Sequence, residues 1–299
     1  GLVQGRIDVI NSAQGDFVAH LDADDFWQPK FIEQLMAEFQ KEPKLDWVIG
    51  NTNLVNSGGF IINKWDYSDY PTDFELCIKR GFTTASLPFP NNGIFKMSFL
   101  KRNNLSWYRL PHTLQGEDAL TATKYLECHP KVKHINEYLF NYRLHGSNMS
   151  AKPIERIKMI IDLKEYYFDT FDAKLLFADL RLRDLDSDSK EFKALTHLLL
   201  ANDLLQIKQN IKIPAAFCNE NTESDLLENL WLFDNPIKRH VDESLNLSDL
   251  FSSESAQLLK TLGQVGTIAE GRKKLILRNF ESAREEFRKV VNNSECSSE

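Results

Sequence analysis

The sequence has few cysteines and no long apolar run. Its four cysteines are widely spaced and form no Cys-x-x-Cys pair: Cys77, Cys128, Cys218 and Cys296. This spacing argues against a zinc knuckle or a dense disulfide framework, and it favours reduced structural thiols in a cytosolic protein. No apolar stretch approaches the roughly 20 residues that span a bilayer, so the sequence predicts no transmembrane segment. The first residues also lack the charged-then-apolar pattern of a secretory leader.

The chain has no excess of basic residues. It carries 36 lysines and arginines against 43 aspartates and glutamates, a formal net charge of −7. Because binding to a nucleic-acid backbone needs a basic surface, this balance predicts no nucleic-acid partner. The 299 residues are 42% hydrophobic, as in ordinary globular proteins, and are enough for one large domain or two smaller ones.

The start of the chain is unusual. It begins at Gly1 rather than at methionine, and it enters a strand-like segment almost at once. We therefore expect a fragment whose true beginning lies upstream. A processed or trimmed chain would have the same consequence.

The pattern of the sequence changes near residue 152, which predicts two domains, 1–152 and 153–299. In the first, short apolar runs alternate with amphipathic stretches, which indicates an α/β arrangement. The predicted strands cover 16–21, 47–49, 60–62, 132–135 and 138–144, and the predicted helices cover 29–40 and 117–127. In the second, glycine nearly disappears before Gly263 and helical periodicity dominates. The clearest predicted helices there cover 155–171, 192–207 and 273–291.

Three carboxylates follow the first predicted strand, in the run Leu21-Asp22-Ala23-Asp24-Asp25. In an open α/β sheet, ligands bind outside the carboxyl ends of the strands. Crowded carboxylates repel each other, so a cation is their natural partner. Mg²⁺ and Mn²⁺ take oxygen ligands and often share them with substrate phosphates. The run therefore favours metal and diphosphate chemistry, and a solvated loop is the alternative for an isolated Asp-x-Asp.

Two further segments carry candidate functional residues. Glu117 and Asp118 open a predicted helix, where acidic residues also serve simply as caps. His145 follows a predicted strand and stands two residues after Arg143. A histidine in this position acts either as a structural hydrogen-bonding group or as a ligand of metal or phosphate.

The residues from Arg6 to Asp25 resemble the central part of the family 2 glycosyltransferases of the GT-A fold. That family pattern has an Arg-Asn-x-Gly helix, an Ala-x-Gly turn and a strand that ends in Leu-Asp-x-Asp-Asp. Arg6, the Ala13-x-Gly15 turn and the aspartate run match it, whereas Ile7 replaces the usual asparagine. The resemblance implies a partial GT-A domain with a Rossmann-like, mixed sheet. This GT-A domain would lack the first βαβαβ part of the fold. An all-helical C-terminal domain, which binds the acceptor or partner proteins, would follow it.

The resemblance also implies roles for individual residues. Asp118 would be the catalytic base, with Glu117 beside it to orient the acceptor. Asp24 and His145 would hold the metal. The donor would be bound by Asp22, Arg6 and Arg143.

The implied activity is inverting transfer of a sugar from a nucleotide-diphosphate sugar, first of all a UDP-sugar, to a saccharide or lipid-linked acceptor. Mn²⁺ or Mg²⁺ would be the cofactor, and bacterial surface polysaccharide would be the product. The expected location is the cytoplasm, with peripheral association at the inner face of the membrane left open. Two alternatives remain at this point. One is a metal-dependent phosphatase or phosphotransferase with a strand-terminal aspartate nucleophile, and the other is a catalytically silent helical scaffold.

Overall fold

A computed structural model of the protein describes residues 1–90, 92–113, 115–145, 148, 152–177, 180–211 and 222–247. The chain divides into two compact units. One comprises Gly1–Tyr167 and Ile213–Asp225, and the other comprises Phe168–Lys212 and Leu226–Glu299. The predicted domain boundary after residue 152 stays a prediction.

The elements follow one another in a mixed order of helices and strands. The strands are β1 (Phe17–Ala19), β2 (Phe26–Trp27), β3 (Trp47–Val55), β4 (Ile61–Trp65), β5 (Gly93–Lys96) and β6 (Val132–Arg143). The helices are α1 (Leu2–Ser12), α2 (Phe31–Lys41), α3 (Phe74–Thr84), α4 (Met97–Arg102), α5 (Glu117–Leu126), α6 (Pro153–Thr170), α7 (Ala173–Leu176), α8 (Lys190–Asn210), α9 (Thr222–Glu228) and α10 (Asp234–Leu247). Short 3₁₀ helices cover Leu180–Asp184 and Leu230–Phe233.

Within the described part of the chain, six strands form one mixed sheet. Their order is β1-β5-β3-β6-β2, and β4 pairs with the C-terminal part of β3. Strands β3 and β6 are parallel, whereas the other pairings are antiparallel. A mixed sheet with helices packed on it confirms the predicted α/β class.

The central strand β3 is buried along its whole length because both faces of the sheet are covered. Successive side chains point to opposite faces, so Trp47 and Ile49 join one core cluster and Val48 joins the other. The first cluster includes Phe95 and Tyr125. The second is closed by one face of α2, where the buried side chains are Phe31, Leu35 and Phe39.

The structure differs from the sequence predictions at two places in the first unit, β6 and α3. Residues 132–143 form one strand rather than two, because β6 pairs with β3 on both sides of a register shift between Ile49 and Asn51. Residues 2–12 form a helix, as the resemblance implies for the segment around Arg6, and Ile10 packs in the core. Helix α3 was not predicted. In β6, pairing with a distant strand outweighs the local preference for a break.

The second unit is helical wherever it is described. Helix α8 confirms the helix predicted for 192–207, and it packs against α10. Helix α6, most of which belongs to the first unit, confirms the helix predicted for 155–171. The predicted helix 273–291 lies outside the described residues. None of the helices in the described ranges is both long and apolar enough to cross a membrane.

Gly93 is required where β5 approaches β3. A Cβ atom at this position would collide with the backbone carbonyl of Val48, whereas a Cβ atom at Gly5 would meet nothing within 4 Å. We expect Gly93→Ala to lower the free energy of unfolding by about 3 kcal/mol, since neighbouring backbones must move apart. The matched change Gly5→Ala, in helix α1, should leave stability equal or raise it by about 1 kcal/mol. Chemical denaturation of both variants tests this, and equal midpoints for the two would contradict it.

Candidate active site

The residues that the sequence predicts for the transfer site lie mainly along one edge of the sheet. Strands β1, β3 and β6 point the same way, because β1 and β3 both run antiparallel to β5 and β3 is parallel to β6. Their carboxyl ends therefore share an edge. Asp22 and Asp24 follow β1 there, and Arg143 and His145 stand at the end of β6.

Arg6 joins two segments that are far apart in sequence. Its guanidinium lies 2.5 Å from Asp22 Oδ1 and 3.1 Å from Glu117 Oε1. The side chains of Arg6 and Glu117 are only 15% and 12% exposed, so water screens this pair little, whereas Asp22 is 47% exposed. Helix α1 thus holds the aspartate run and the start of α5 together.

Arg6 is oriented by an aromatic platform. Its guanidinium lies 4.2 Å from the centre of the Trp107 ring, and the Trp107 indole N–H donates to His20 Nε2 at 3.2 Å. Burial, reinforced by the charge of Arg6, lowers the pKa of His20 to about 4. His20 is therefore neutral at physiological pH and can accept the indole hydrogen bond. Neither Trp107 nor His20 was predicted to belong to the site, because a single tryptophan and a single histidine carry no local signal for it.

Asp24 contacts His145 directly. The distance from His145 Nε2 to Asp24 Oδ2 is 2.9 Å, and the side chains are 26% and 42% exposed respectively. Because a carboxylate oxygen only accepts, Nε2 carries a proton in this arrangement. The backbone N–H of His145 donates to Asn148 Oδ1, and the Asn148 amide donates to the Arg143 carbonyl. Asn148 thus positions the backbone of His145, and this role was not predicted from the sequence.

Arg143 connects β6 to the aspartate run mainly through backbone groups. Its Nε donates to the carbonyl of Asp24 and its Nη1 to the carbonyl of Ser57, each at 2.8 Å. Its own backbone N–H donates to Asp25 Oδ1 at 2.8 Å. Burial nevertheless raises the pKa of Asp25 to about 7. Arg143 and Asp25 therefore fix the shape of the loop from Asp22 to Asp25.

Glu117 and Asp118 begin α5 directly after Gly116, which has a positive φ of 79°. This conformation favours glycine, and a Cβ there would also crowd Met159 and Leu110. A helix N-terminus by itself favours ionised carboxylates. Burial has the larger effect here, since it raises the pKa of Glu117 to about 7 and also raises the pKa of Asp118. Glu117 can thus accept a proton near neutral pH, and the Asp118 carboxylate is more basic than an exposed aspartate.

Two clusters result from these contacts. One comprises Arg6, Asp22 and Glu117, with Asp118 adjacent in sequence to Glu117, and the other comprises Asp24 and His145. The loop from Asp22 to Asp25 connects them. No group of three or more histidine, cysteine, aspartate or glutamate side chains in the described ranges has an arrangement that could hold a metal ion by itself.

Comparison with known proteins agrees with the resemblance predicted from the sequence. Residues 1–102 match the family model described as glycosyl transferase family 2, which confirms that prediction. Chondroitin synthase of Pasteurella multocida (strain Pm70) is 24% identical over 191 residues, which cover 58% of this chain and 18% of that protein. Hyaluronan synthase of Pasteurella multocida is 25% identical over 162 residues, 52% of this chain and 15% of that protein. The chain therefore spans less than a fifth of the length of these relatives.

One solved structure is also similar to this chain. It is S. aureus TarS residues 1–349, with a TM-score of 0.45 and 14% sequence identity. The similarity covers 97% of this chain and 71% of that one.

The raised pKa of Glu117 makes stability depend on pH. In the folded protein this pKa is about 7, above its ordinary value of 4.5, so the native state disfavours the ionised form. The free energy of unfolding should therefore fall as pH rises from about 4.5 to about 7. Glu117→Gln removes this charge, and we expect it to stabilise the protein at pH 8 by about 2 kcal/mol. The gain should vanish at about pH 3.5, below the ordinary pKa of 4.5, where Glu117 is largely protonated in both states.

Thermal unfolding at both pH values measures this effect. Glu33→Gln, on the exposed side of α2, is the matched control and should change the midpoint little at either pH. A stability difference between Glu117→Gln and the parent chain that is the same at both pH values would contradict the prediction.

Proposed function

We propose that this chain carries the acceptor and metal side of an inverting glycosyl-transfer site, with Asp118 as the base. The observation that carries the proposal is the double contact of Arg6 with Asp22 and Glu117. It links the segment assigned to the donor with the segment assigned to the base. A phosphatase with a strand-terminal aspartate nucleophile leaves this link, and the Glu117-Asp118 pair, without a role.

In the proposed reaction, an acceptor hydroxyl attacks the anomeric carbon of a nucleotide-diphosphate sugar. The new carbon–oxygen bond forms as the bond to the diphosphate breaks, and the nucleoside diphosphate leaves with the bonding electrons. The hydroxyl proton passes to the Asp118 carboxylate. Burial raises the pKa of Asp118, and a more basic carboxylate takes the proton more readily. Glu117, fixed by Arg6, orients the acceptor.

We assign the metal to Asp24 and His145, whose carboxylate and imidazole groups converge at the rim of the sheet. Their donor atoms suit Mn²⁺ or Mg²⁺, and diphosphate oxygens and water would complete the coordination. Such an ion supplies positive charge that stabilises the departing diphosphate. Asp22 and Arg6 would bind the donor, while Arg143 would offset phosphate charge close by.

We infer a UDP-sugar as the donor and a saccharide or lipid-linked acceptor, with polysaccharide as the product. The curated relatives support this class, since they are named as synthases of chondroitin and of hyaluronan. A cytoplasmic location, with peripheral association at the inner face of the membrane, fits a nucleotide-sugar donor. The helical C-terminal part, residues 153–299, would bind the acceptor or partner proteins.

Replacement of the base tests the mechanism. We expect Asp118→Asn to lower kcat for transfer from a UDP-sugar by at least about 100-fold, because an amide cannot take the proton. Affinity for UDP should stay within about twofold, since Asp118 is not placed against the nucleotide. The assay measures UDP release with a panel of UDP-sugars and saccharide acceptors, and phosphate esters serve as alternative substrates. Normal turnover in Asp118→Asn, or hydrolysis of the phosphate esters, would refute the assignment.

Calorimetry with UDP and Mn²⁺ tests the metal site. We expect Asp24→Ala to weaken Mn²⁺-dependent binding of UDP by at least about tenfold, because one of two protein ligands is lost. Asp69→Ala, an exposed aspartate outside the site, is the matched control and should bind like the parent chain. Equal binding by the parent chain and Asp24→Ala would show that Asp24 is not a ligand.

A further inference from the structure

A second site lies at the opposite edge of the sheet. A cavity of about 410 Å³ opens there, beside the start of β3, the start of β6 and the end of β5. Its lining residues are Pro43, Lys44, Asp46, Lys96, Ser98, Arg102, His129 and Lys131. We call it the basic pocket. None of these residues takes part in the proposed transfer site.

The length of β3 separates the basic pocket from the proposed transfer site. Asp46 immediately precedes β3, and Val55, at the other end of the strand, pairs with Arg143. Nine strand residues at about 3.3 Å each give a separation of about 30 Å. The basic pocket is therefore too remote to hold the nucleotide or the reacting sugar.

Positive charge dominates the basic pocket, although the whole chain is acidic. Four lining residues are lysine or arginine, and the carboxylate of Asp46 is the acidic group among the lining residues. Asp46 is 6% exposed, and both of its carboxylate oxygens already accept hydrogen bonds. Arg102 donates to Oδ1 at 2.8 Å, and the Lys131 backbone N–H donates to Oδ2 at 3.0 Å. The excess positive charge is therefore available to a ligand.

Two of the cations are held in place and two are available. The Lys96 ammonium donates to the Pro43 carbonyl, and Asp46 fixes Arg102 as described. Lys44 and Lys131 are exposed, and neither has an acidic partner within the described ranges. This combination of fixed and free cations matches an anion that carries several separated charges.

We propose that the basic pocket binds carboxylate groups along an acidic saccharide chain, at a distance from the point of transfer. This proposal rests on the proposed function, which makes a saccharide the acceptor. The pocket is open and most of its lining side chains are exposed, so an extended polymer can pass through it. No large aliphatic side chain lines it, which argues against a lipid chain as the occupant.

Binding to a matched pair of oligosaccharides tests the proposal on the 299-residue chain. The acidic probe is a cellouronate decasaccharide, and the neutral probe is the cello-oligosaccharide of the same length, so that the two differ in their carboxylates alone. We expect the acidic probe to bind at least about tenfold more tightly, with affinity that falls as salt rises. The double variant Lys44→Glu/Lys131→Glu should weaken this binding by at least about tenfold. Lys238→Glu, an exposed lysine on α10, is the control and should weaken it less than about twofold.

Three outcomes would overturn the proposal. One is equal affinity for the acidic and neutral probes, and another is unchanged affinity in the double variant with an unchanged melting temperature. The third is binding to phosphatidylglycerol vesicles that the double variant abolishes, without binding to cellouronate, which would make the basic pocket a membrane contact. Mn²⁺-dependent UDP binding, measured on the same samples, tests the transfer site separately. If the chain binds cellouronate but shows no Mn²⁺-dependent binding of UDP, the proposed function is overturned and the proposal for the basic pocket is not.

Discussion

The guanidinium of Arg6 holds together carboxylates that the fold brings to one edge of the sheet from distant parts of the chain. Asp22 follows β1 and Glu117 begins α5, and each lies within 3.1 Å of that guanidinium. Unpaired, two neighbouring carboxylates of which one is buried would repel each other and resist ionisation. The Arg6 guanidinium itself lies over the Trp107 ring, and the Trp107 indole N–H donates to His20. The position of helix α1 therefore decides the geometry of the proposed site.

The site departs from maximal stability in a way that is typical of functional regions. Burial raises the pKa values of Asp25, Glu117 and Asp118, although a loop rich in backbone donors and a helix N-terminus both favour ionised carboxylates. A protein selected for stability alone would have little reason to bury these three acidic groups. In contrast, Asp46 at the other sheet edge is buried with an arginine and a backbone N–H as partners, and it serves to fix the start of β3 and β6. The same residue type thus plays a structural role at one edge and a proposed chemical role at the other.

The two edges of the sheet have different proposed functions. The edge at the carboxyl ends of β1, β3 and β6 presents acidic groups and one histidine, which suits a divalent cation and a proton transfer. The opposite edge presents the basic pocket, which suits carboxylates along a polymer. Because rigid, fully buried β3 connects them, the distance between the two is fixed rather than adjustable. A saccharide long enough to reach both would be held in one direction relative to the point of transfer.

Much of this could be predicted from the sequence, because local patterns carry the relevant physics. Alternating short apolar runs identified the α/β class, and the aspartates after an apolar strand identified the loop from Asp22 to Asp25. Other features depend on contacts between distant residues. The continuity of β6 depends on its pairing with β3, since the polar residues opposite the register shift resemble a turn when taken alone. Likewise, only the contacts of Trp107 with Arg6 and with His20 show that Trp107 and His20 belong to the site, and only burial shows that the pKa of Asp118 is raised. The sequence by itself therefore determined which groups are present and which strands they follow. The tertiary structure decided which of them meet and how strongly each holds its proton, because both depend on burial and on neighbours far along the chain.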